Sequence, residues 1–548
     1  MGELCVGPGM RERRMAVALA SPARTIGDVI EDLAPSAAAN ELAAWPPDVF
    51  GITGVLLALS GAFRLSVSPP NGEIWPPSEE WNEAVSRDGR DWASVARPDA
   101  RAPEPTLPAV VADAWRCVLD ARAKAVADID VDWGVAAALL TLHAAADEAC
   151  RDLGSPGAPS SIFGLAANLR LASEGTLARL PVDRIRVLPK LRTPTGGVTV
   201  RSLSRHVAFL NAELETTWYA VPQRYDATAS RVRFRMLIVP WPRVVNPRDF
   251  RRVDLAKWPL NMDRDRFGFF AFEPSEPLDR NWVDALVDKA RECVGGVDAV
   301  VFPELALTQE QVTELEPSLW KRNVNYLIAG VRAEGEASLG SNYVHLGIAG
   351  PDNTWRAYKQ CKHHRWCLDE EQIYQYHLGS ALHPKVTWWE GIEIPPRSRV
   401  FVVASQWLTI CPVICEDLAR IDPTADCIHA VGPSLVIALL LDGPQLASRW
   451  SARYASALAD DPGSSVLTVT SLGMSVRARP EGMKPSRIIA LWRDRQRGTR
   501  LVELDRQSEA ALLTTSVDYR ESVTADGRRD KRDTPELVLS GIEQISAG

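Results

Sequence analysis

From residue 231 onward, short apolar runs rich in β-branched and aromatic residues alternate with segments of helical periodicity. This alternation constrains the fold more than any other feature of the chain. VRFRMLIVPWP (232–242) and DAVVFPEL (298–305) read as strands, the second ending in a glutamate, with the amphipathic NWVDALVDKAREC (281–293) as a helix between them. A helix over 309–320 is followed by strands VNYLIAGVRA (324–333) and NYVHLGIAG (342–350). One long strand-like run, VFVVASQWLTICPVIC (400–415), then precedes SLVIALLL (434–441) and SVLTVTSLG (465–473). Strands that alternate with helices bury themselves in stacked layers, so an α/β domain is expected. Sheets of that kind carry reactive side chains at the carboxyl ends of their strands, where Glu304 and Cys415 fall.

The first 230 residues read differently, as helix and loop. DWGVAAALLTLHAAADEAC (132–150) is apolar around most of its circumference, which predicts a buried helix. SLSRHVAFLNAELETTWYAV (202–221) opens on a serine cap candidate and carries Val207, Leu210 and Leu214 at helical spacing, which predicts another. The prolines of VSPPNGEIWPPSEEW (67–81) and ARPDARAPEPTLP (96–108) mark loops or linkers. The expected division is a mainly helical domain over 1–230, of unknown role, and an α/β domain over 231–548.

At 548 residues the chain suits two or three domains. Its net charge of −8 argues against binding nucleic acid by phosphate neutralisation. Nine irregularly spaced cysteines do not form a secreted disulfide framework. The opening MGELCVGPGMRERRMAVALA sets basic residues before an apolar run too short for a secretory signal, and Val6 breaks the myristoylation pattern after Gly2. The longest apolar stretches, 52–63 and 134–146, fall short of the roughly 20 residues a membrane span needs. A reduced, cytoplasmic protein is expected.

Three segments carry chemistry. In VVFPE (300–304) a proline stops the strand and throws Glu304 off its end, although a lone carboxylate is more often solvent-facing. In YKQCKHHRWCLDEEQ (358–372), Cys361, His363, His364 and Cys367 suggest zinc, but their spacing fits no common structural site, so no metal is expected. A lysine there, held near carboxylates, can instead stabilise a developing oxyanion. In LTICPVICEDLAR (408–420), Cys411 and Cys415 share a face if the strand runs to its end. Cys411 lies inside the apolar run and reads as core. Cys415 meets Glu416-Asp417 at a strand-to-turn junction, which exposes the thiol and leaves the Glu416 N–H beside it for an oxyanion.

The order of these features, a glutamate after an apolar strand, a lysine, then a cysteine in ICED, resembles the Glu-Lys-Cys triad of the nitrilase (carbon–nitrogen hydrolase) superfamily. ICED is similar to the form in its glutamine-amide-hydrolysing domains. FRMLIVPWP resembles the family's opening strand, RWSARYASALADDPGSSVLTVTSLG (449–473) its late helix and following strand, and PSRIIALWRDRQRGTRLVELD (485–505) its closing strand pair. The resemblance covers residues 231–520. It implies a four-layer α-β-β-α sandwich behind the helical region, with Glu304, Lys362 and Cys415 as the catalytic triad and Glu416 in support. Lys362 is chosen through a K-x-H pattern ending at His364, with Lys359 beside Tyr358 as the alternative. Glu370 falls where many members carry a further active-site glutamate, and Arg420 is expected to pair with Asp417 and brace the turn. The resemblance further implies a small amide or nitrile substrate, no cofactor, no metal and a homo-oligomer. Two rival readings are a catalytically silent, ligand-sensing member of the same fold, similar to domains found in bacterial phage defence, and a zinc-binding interaction protein using Cys and His residues of 361–367 and 411–429.

Overall fold

Side-chain alternation explains how the α/β part is layered. In the strand Arg233–Ile238, Phe234, Met236 and Ile238 face one apolar cluster while Leu237 faces another, as in a strand covered on both sides. Neighbouring strands repeat the pattern: Val301 and Ile328 join the first cluster, Val300, Phe302, Leu327 and Ala329 the second. Two helices close the second side. Arg280–Val294, capped by Asp279 and ended by left-handed Gly295, contributes Val283, Leu286, Val287 and Ala290. Gln309–Lys321, opened by a Thr308–Gln311 capping box, contributes Val312, Leu315 and Leu319. The first side is shared with strands of a second sheet, among them Ile410, Val413, Val436 and Leu467.

The computed structural model describes residues 24–35, 37–97, 106–157, 161–194, 196–210, 214–221, 232–255, 261–333, 339–350, 354–405, 407–420, 424–479, 484–529 and 534–548. The opening segment with its apolar run, the middle of the Pro-rich 96–108 stretch and the junction at 222–231 lie outside them. Both large sheets have seven strands. The first runs Trp355–Cys361, Ser341–Ala349, Tyr326–Ala333, Ala299–Leu307, Arg233–Ile238, Ala510–Arg520, Thr534–Ile545. The second runs Gly498–Glu503, Ile488–Asp494, Ser465–Thr470, Leu435–Leu440, Thr409–Ile414, Ser398–Val403, Glu215–Ala220. In each sheet the third, fourth and fifth strands are mutually parallel. A four-stranded sheet, Cys367–Leu368, Thr387–Glu390, Phe267–Phe272 and Phe250–Val253, lies apart from both.

Three expectations need correction. The run 400–415 is two strands, joined as an antiparallel hairpin in which Val402 faces Ile410. The stretch 202–221 is not a helix: Val207–Leu210 pairs with Arg186–Pro189, and Glu215–Ala220 pairs in parallel with Ser398–Val403. Three apolar residues at helical spacing are outweighed by the strand-forming Phe209, Thr216, Thr217, Trp218 and Tyr219, which find partners across the chain. The expected boundary at 230/231 therefore does not separate the two parts, because an upstream segment supplies the edge strand of the second sheet. The antiparallel pair Ala510–Arg520 and Thr534–Ile545 completes the first sheet.

The helix Trp133–Ala149 forms as expected, capped by Asp132. Its last turn is a polar anchor. Asp147 accepts the backbone N–H groups of Arg205, His206 and Val207 at 2.9, 2.8 and 3.1 Å. Arg528, 1% exposed, pairs with Asp147 and Glu148 at 3.1 Å each and with Asp526 at 3.2 Å. Removing one member of such a set strands the others without solvent. Among the described residues no helix is long and apolar enough to cross a membrane. A fragment beginning at residue 232 loses the edge strand and leaves Arg528 without Asp147 and Glu148. It is expected to be largely insoluble, and to be recovered in soluble form when residues 24–221 are co-expressed; the soluble fraction and size-exclusion profile check this.

Candidate active site

The strand Ala299–Leu307 does not stop at Pro303; it bulges. Phe302 faces Ala329 and Leu307 faces Val331, so residues 303–306 lie opposite the single Gly330. Pro303 has no N–H to offer the ladder, and Leu305 takes a left-handed φ of 53°. Gly330 permits this close approach, since a Cβ there would sit 2.3 Å from the Pro303 oxygen and 2.4 Å from the Glu304 Cα. The bulge turns Glu304 inward, where it is 1% exposed, and not toward solvent.

Lys362 leaves the strand Trp355–Cys361 and is equally buried. Its Nζ donates to Glu304 Oε1 at 2.7 Å and to Glu390 Oε2 at 2.6 Å. Asn342 Nδ2 donates to both glutamates at 2.7 Å. The Leu441 N–H, at the end of the central strand of the second sheet, donates to Glu304 Oε2 at 2.5 Å. Glu390 also accepts the Trp366 N–H at 3.1 Å. Lys359 lies elsewhere, exposed with its Nζ 4.6 Å from the Tyr343 ring centre. The structure thus joins Glu304 to Lys362 and not to Lys359.

Cys415 follows the strand Thr409–Ile414 with a φ of 39° and opens a short helical turn to Ala419. The strand ends before it, so the alternation that would align it with Cys411 does not reach it. Cys411 is fully buried, and burial pushes its thiol up to about 12. Cys415 is 3% exposed yet lines a cavity of about 580 Å³, beside Glu416 and Leu441. Burial, then the Glu304 charge, pushes its thiol well above the ordinary range, against the pull of Lys362. Burial also raises the Glu304 carboxyl, with Glu390 adding to the shift and Lys362 opposing it. Burial works against a charged Lys362, but Glu304 and Glu390 outweigh it and hold the ammonium well above its ordinary value.

Two side chains stand elsewhere than expected. Glu370 is exposed at the start of the helix Glu370–Gln375, capped by Asp369; the second buried glutamate is Glu390, from the strand Thr387–Glu390. The sequence holds the same signal for both buried glutamates, an apolar run meeting a carboxylate, VVFPE and VTWWE. Arg420 pairs with Glu416, not Asp417. Asp417 instead accepts the His363 N–H at 3.0 Å and faces His364 Nδ1 at 2.7 Å, which ties the turn after Cys415 to the residues after Lys362. Burial works against the Asp417 charge, but His364 and Arg399 hold its carboxyl below its ordinary value. Asn342, and Asp442 with its partners Tyr376, Arg449 and Trp450, had no sequence signal.

The histidines of the supposed zinc segment are engaged otherwise, His364 with Asp417 and His363 Nε2 with the Ser398 N–H at 3.1 Å. Among the described residues, the metal-compatible gathering of side chains is Asp147, Glu148 and His206, where Arg205 and Arg528 already supply positive charge.

No family model matches the sequence, and no curated protein matches it. Solved structures of nitrilase superfamily members match over about half of the chain. A glutamine-dependent NAD+ synthetase from Acinetobacter baumannii is 11% identical with a TM-score of 0.32; the match covers 57% of this chain and 48% of that one, less than half its length. Nit3 of Saccharomyces cerevisiae, a member of branch 10 of the nitrilase superfamily, is 11% identical over 52% of this chain and 89% of its own, TM-score 0.32. The amidase from Nesterenkonia sp. AN1 is 11% identical over 54% and 92%, TM-score 0.32.

Substitution separates the two glutamates. Glu390→Ala leaves a buried ammonium with one carboxylate in place of two and is expected to cost about 3–5 kcal/mol in urea unfolding. Glu370→Ala, at an exposed position, should stay within about 0.5 kcal/mol of the parent.

Proposed function

We propose that the chain is a carbon–nitrogen hydrolase that opens an amide or nitrile through a thioester on Cys415, with Glu304 and Lys362 completing the triad. The observation that carries this reading is the buried 2.7 Å contact between Lys362 and Glu304, close enough to Cys415 for both charges to act on its thiol. The same reading takes the helix–sheet–sheet packing as a four-layer α-β-β-α sandwich with a mainly helical region before it. It also takes the protein as a cytoplasmic homo-oligomer.

The chemistry follows from the electrostatics. At rest the Cys415 thiol is neutral, because burial and Glu304 both oppose the thiolate. Glu304 removes the thiol proton as sulfur attacks the amide carbon. Negative charge then develops on the carbonyl oxygen. Lys362 is available to meet it, since Glu304 and Glu390 keep it an ammonium. The Glu416 N–H, in the first turn of a helical segment where backbone donors lack an internal acceptor, is the second donor. Glu304 passes its proton to the departing amine, and then deprotonates the water that cleaves the thioester. Asn342 and the Leu441 N–H fix the Glu304 carboxylate through both steps. No cofactor or metal enters this sequence.

One observation favours a second reading, a catalytically silent pocket that senses a ligand: a thiol held well above its ordinary range is not a preformed nucleophile. Intact-mass measurement after exposure to an amide and nitrile mixture decides between them. An acyl adduct on the parent protein, absent from Cys415→Ala, is expected; no adduct and no ammonia release would leave the sensing reading. Turnover should fall as pH drops through the Glu304 pKa, since the base must be ionised, and that acid limb should lie above the ordinary glutamate value. In the resting protein, iodoacetamide at neutral pH should label exposed Cys293 well before Cys415, with Cys415 labelling rising as pH is raised.

A further inference from the structure

The cavity over Cys415 has more hydrogen-bond donors than its own acceptors use. Its three carboxylates are all engaged. Asp442 accepts from Tyr376, from Arg449 Nη2 at 2.5 Å, from Trp450 Nε1 at 3.0 Å and from the Gly443 N–H at 2.7 Å. Glu416 holds Arg420, and Asp369 caps the helix behind it, accepting the Gln372 N–H at 2.9 Å.

The donors are not matched in this way. Trp389 Nε1 and Arg449 Nε are buried and have no partner among the described residues. Arg365 is half-buried and gives Nε and Nη2 to one backbone carbonyl, that of Ile392, at 3.0 and 2.8 Å; it makes no ion pair with a described carboxylate, although the Glu390 charge acts on it. Arg453, exposed at the cavity rim, makes no hydrogen bond or ion pair to a described residue. Buried donors without acceptors are rare in folded proteins, and half-buried guanidinium groups are usually held in an ion pair. Here all four line one cavity, whose aromatic wall includes Trp450 and Tyr454, ring centres 6.2 Å apart. The volume of about 580 Å³ suits a ligand larger than a simple short-chain amide.

We propose that this cavity takes an amide bearing an oxyanion, a carboxylate or a phosphate, on a flat apolar body, with Arg453 and Arg365 as the groups that receive it. The inference rests on the hydrolase reading for the amide end and on the donor surplus for the anionic end. Arginine donors fit an oxyanion held edge-on, and the rings fit the body that carries it.

The test uses the full-length Cys415→Ala protein, titrated by calorimetry with four benzamides: the parent, and those carrying a para-carboxylate, a para-phosphate or a para-aminomethyl group. At least one anionic ligand is expected to bind tenfold or more tightly than benzamide, with the cationic one weakest. That preference should weaken as salt is raised. Whichever anion wins, carboxylate or phosphate, names the source. Arg453→Gln, at an exposed position, should reduce the anion preference at least threefold, and Arg453→Lys should restore part of it. Equal affinities, a preference for the cation, no anion binding at millimolar concentration, or a preference untouched by Arg453→Gln would overturn the proposal. The hydrolase reading fails separately, if the parent protein binds the anionic amide with the expected preference yet forms no acyl adduct with any of the amides.

Discussion

An ammonium buried between two carboxylates holds this structure together where its chemistry is proposed. Lys362, Glu304 and Glu390 are each 2% exposed or less, and they come from two sheets, the first two from the first seven-stranded sheet and the third from the four-stranded one. Desolvating three charges costs several kcal/mol for each before any attraction is counted. The arrangement stands only because every charge is met: Glu304 by Lys362, Asn342 and the Leu441 N–H, Glu390 by Lys362, Asn342 and the Trp366 N–H. Such a set is a poor source of stability and a strict source of geometry. A sheet displaced by one residue would leave a buried charge unanswered.

The surrounding framework reads as support for that joint. The bulge at Pro303–Ala306 exists to turn Glu304 inward, and Gly330 makes room for it. The left-handed Cys415 turns the chain out of the neighbouring sheet, and Asp417 then fastens this turn to the backbone of His363. The lysine and the cysteine are thereby fixed to one another through a single carboxylate, one residue beyond the first and two beyond the second.

Much of this could be read from the sequence, and the failures have physical causes. The central strands of both sheets were legible because they are continuous apolar runs. Cys415 is legible because it ends such a run, and Glu304 because a carboxylate interrupts one. Edge strands were harder: Glu215–Ala220 is partly exposed and mixed in polarity, so local spacing pointed to a helix while a partner far along the chain decided otherwise. Glu370 follows from the family resemblance, where position along the chain stands in for position in space, and Glu390 is the glutamate that the fold buries beside Lys362. The pairing of Arg420 with Asp417 follows from the resemblance alone, whereas the Asp417 acceptors are satisfied by a histidine pair over fifty residues upstream. Asn342 gave no signal at all, since a lone amide on a strand has no pattern around it.

The edge strand has one more implication, which concerns time. Glu215 aligns with Ser398, 183 residues further along the chain. At synthesis rates of about 5–20 residues per second, that segment waits roughly 10–40 seconds after it is made before its partner exists. Throughout that interval an aromatic, β-prone stretch, ETTWYA, has no ladder to join. Among its native contacts made before that point are Trp218 with the Gly154 carbonyl and Tyr219 with Tyr358, beside the helices anchored at Asp147 by the backbone of 205–207. The order of the chain thus gives its first part a duty during folding, as a shelter for a strand that belongs to the last.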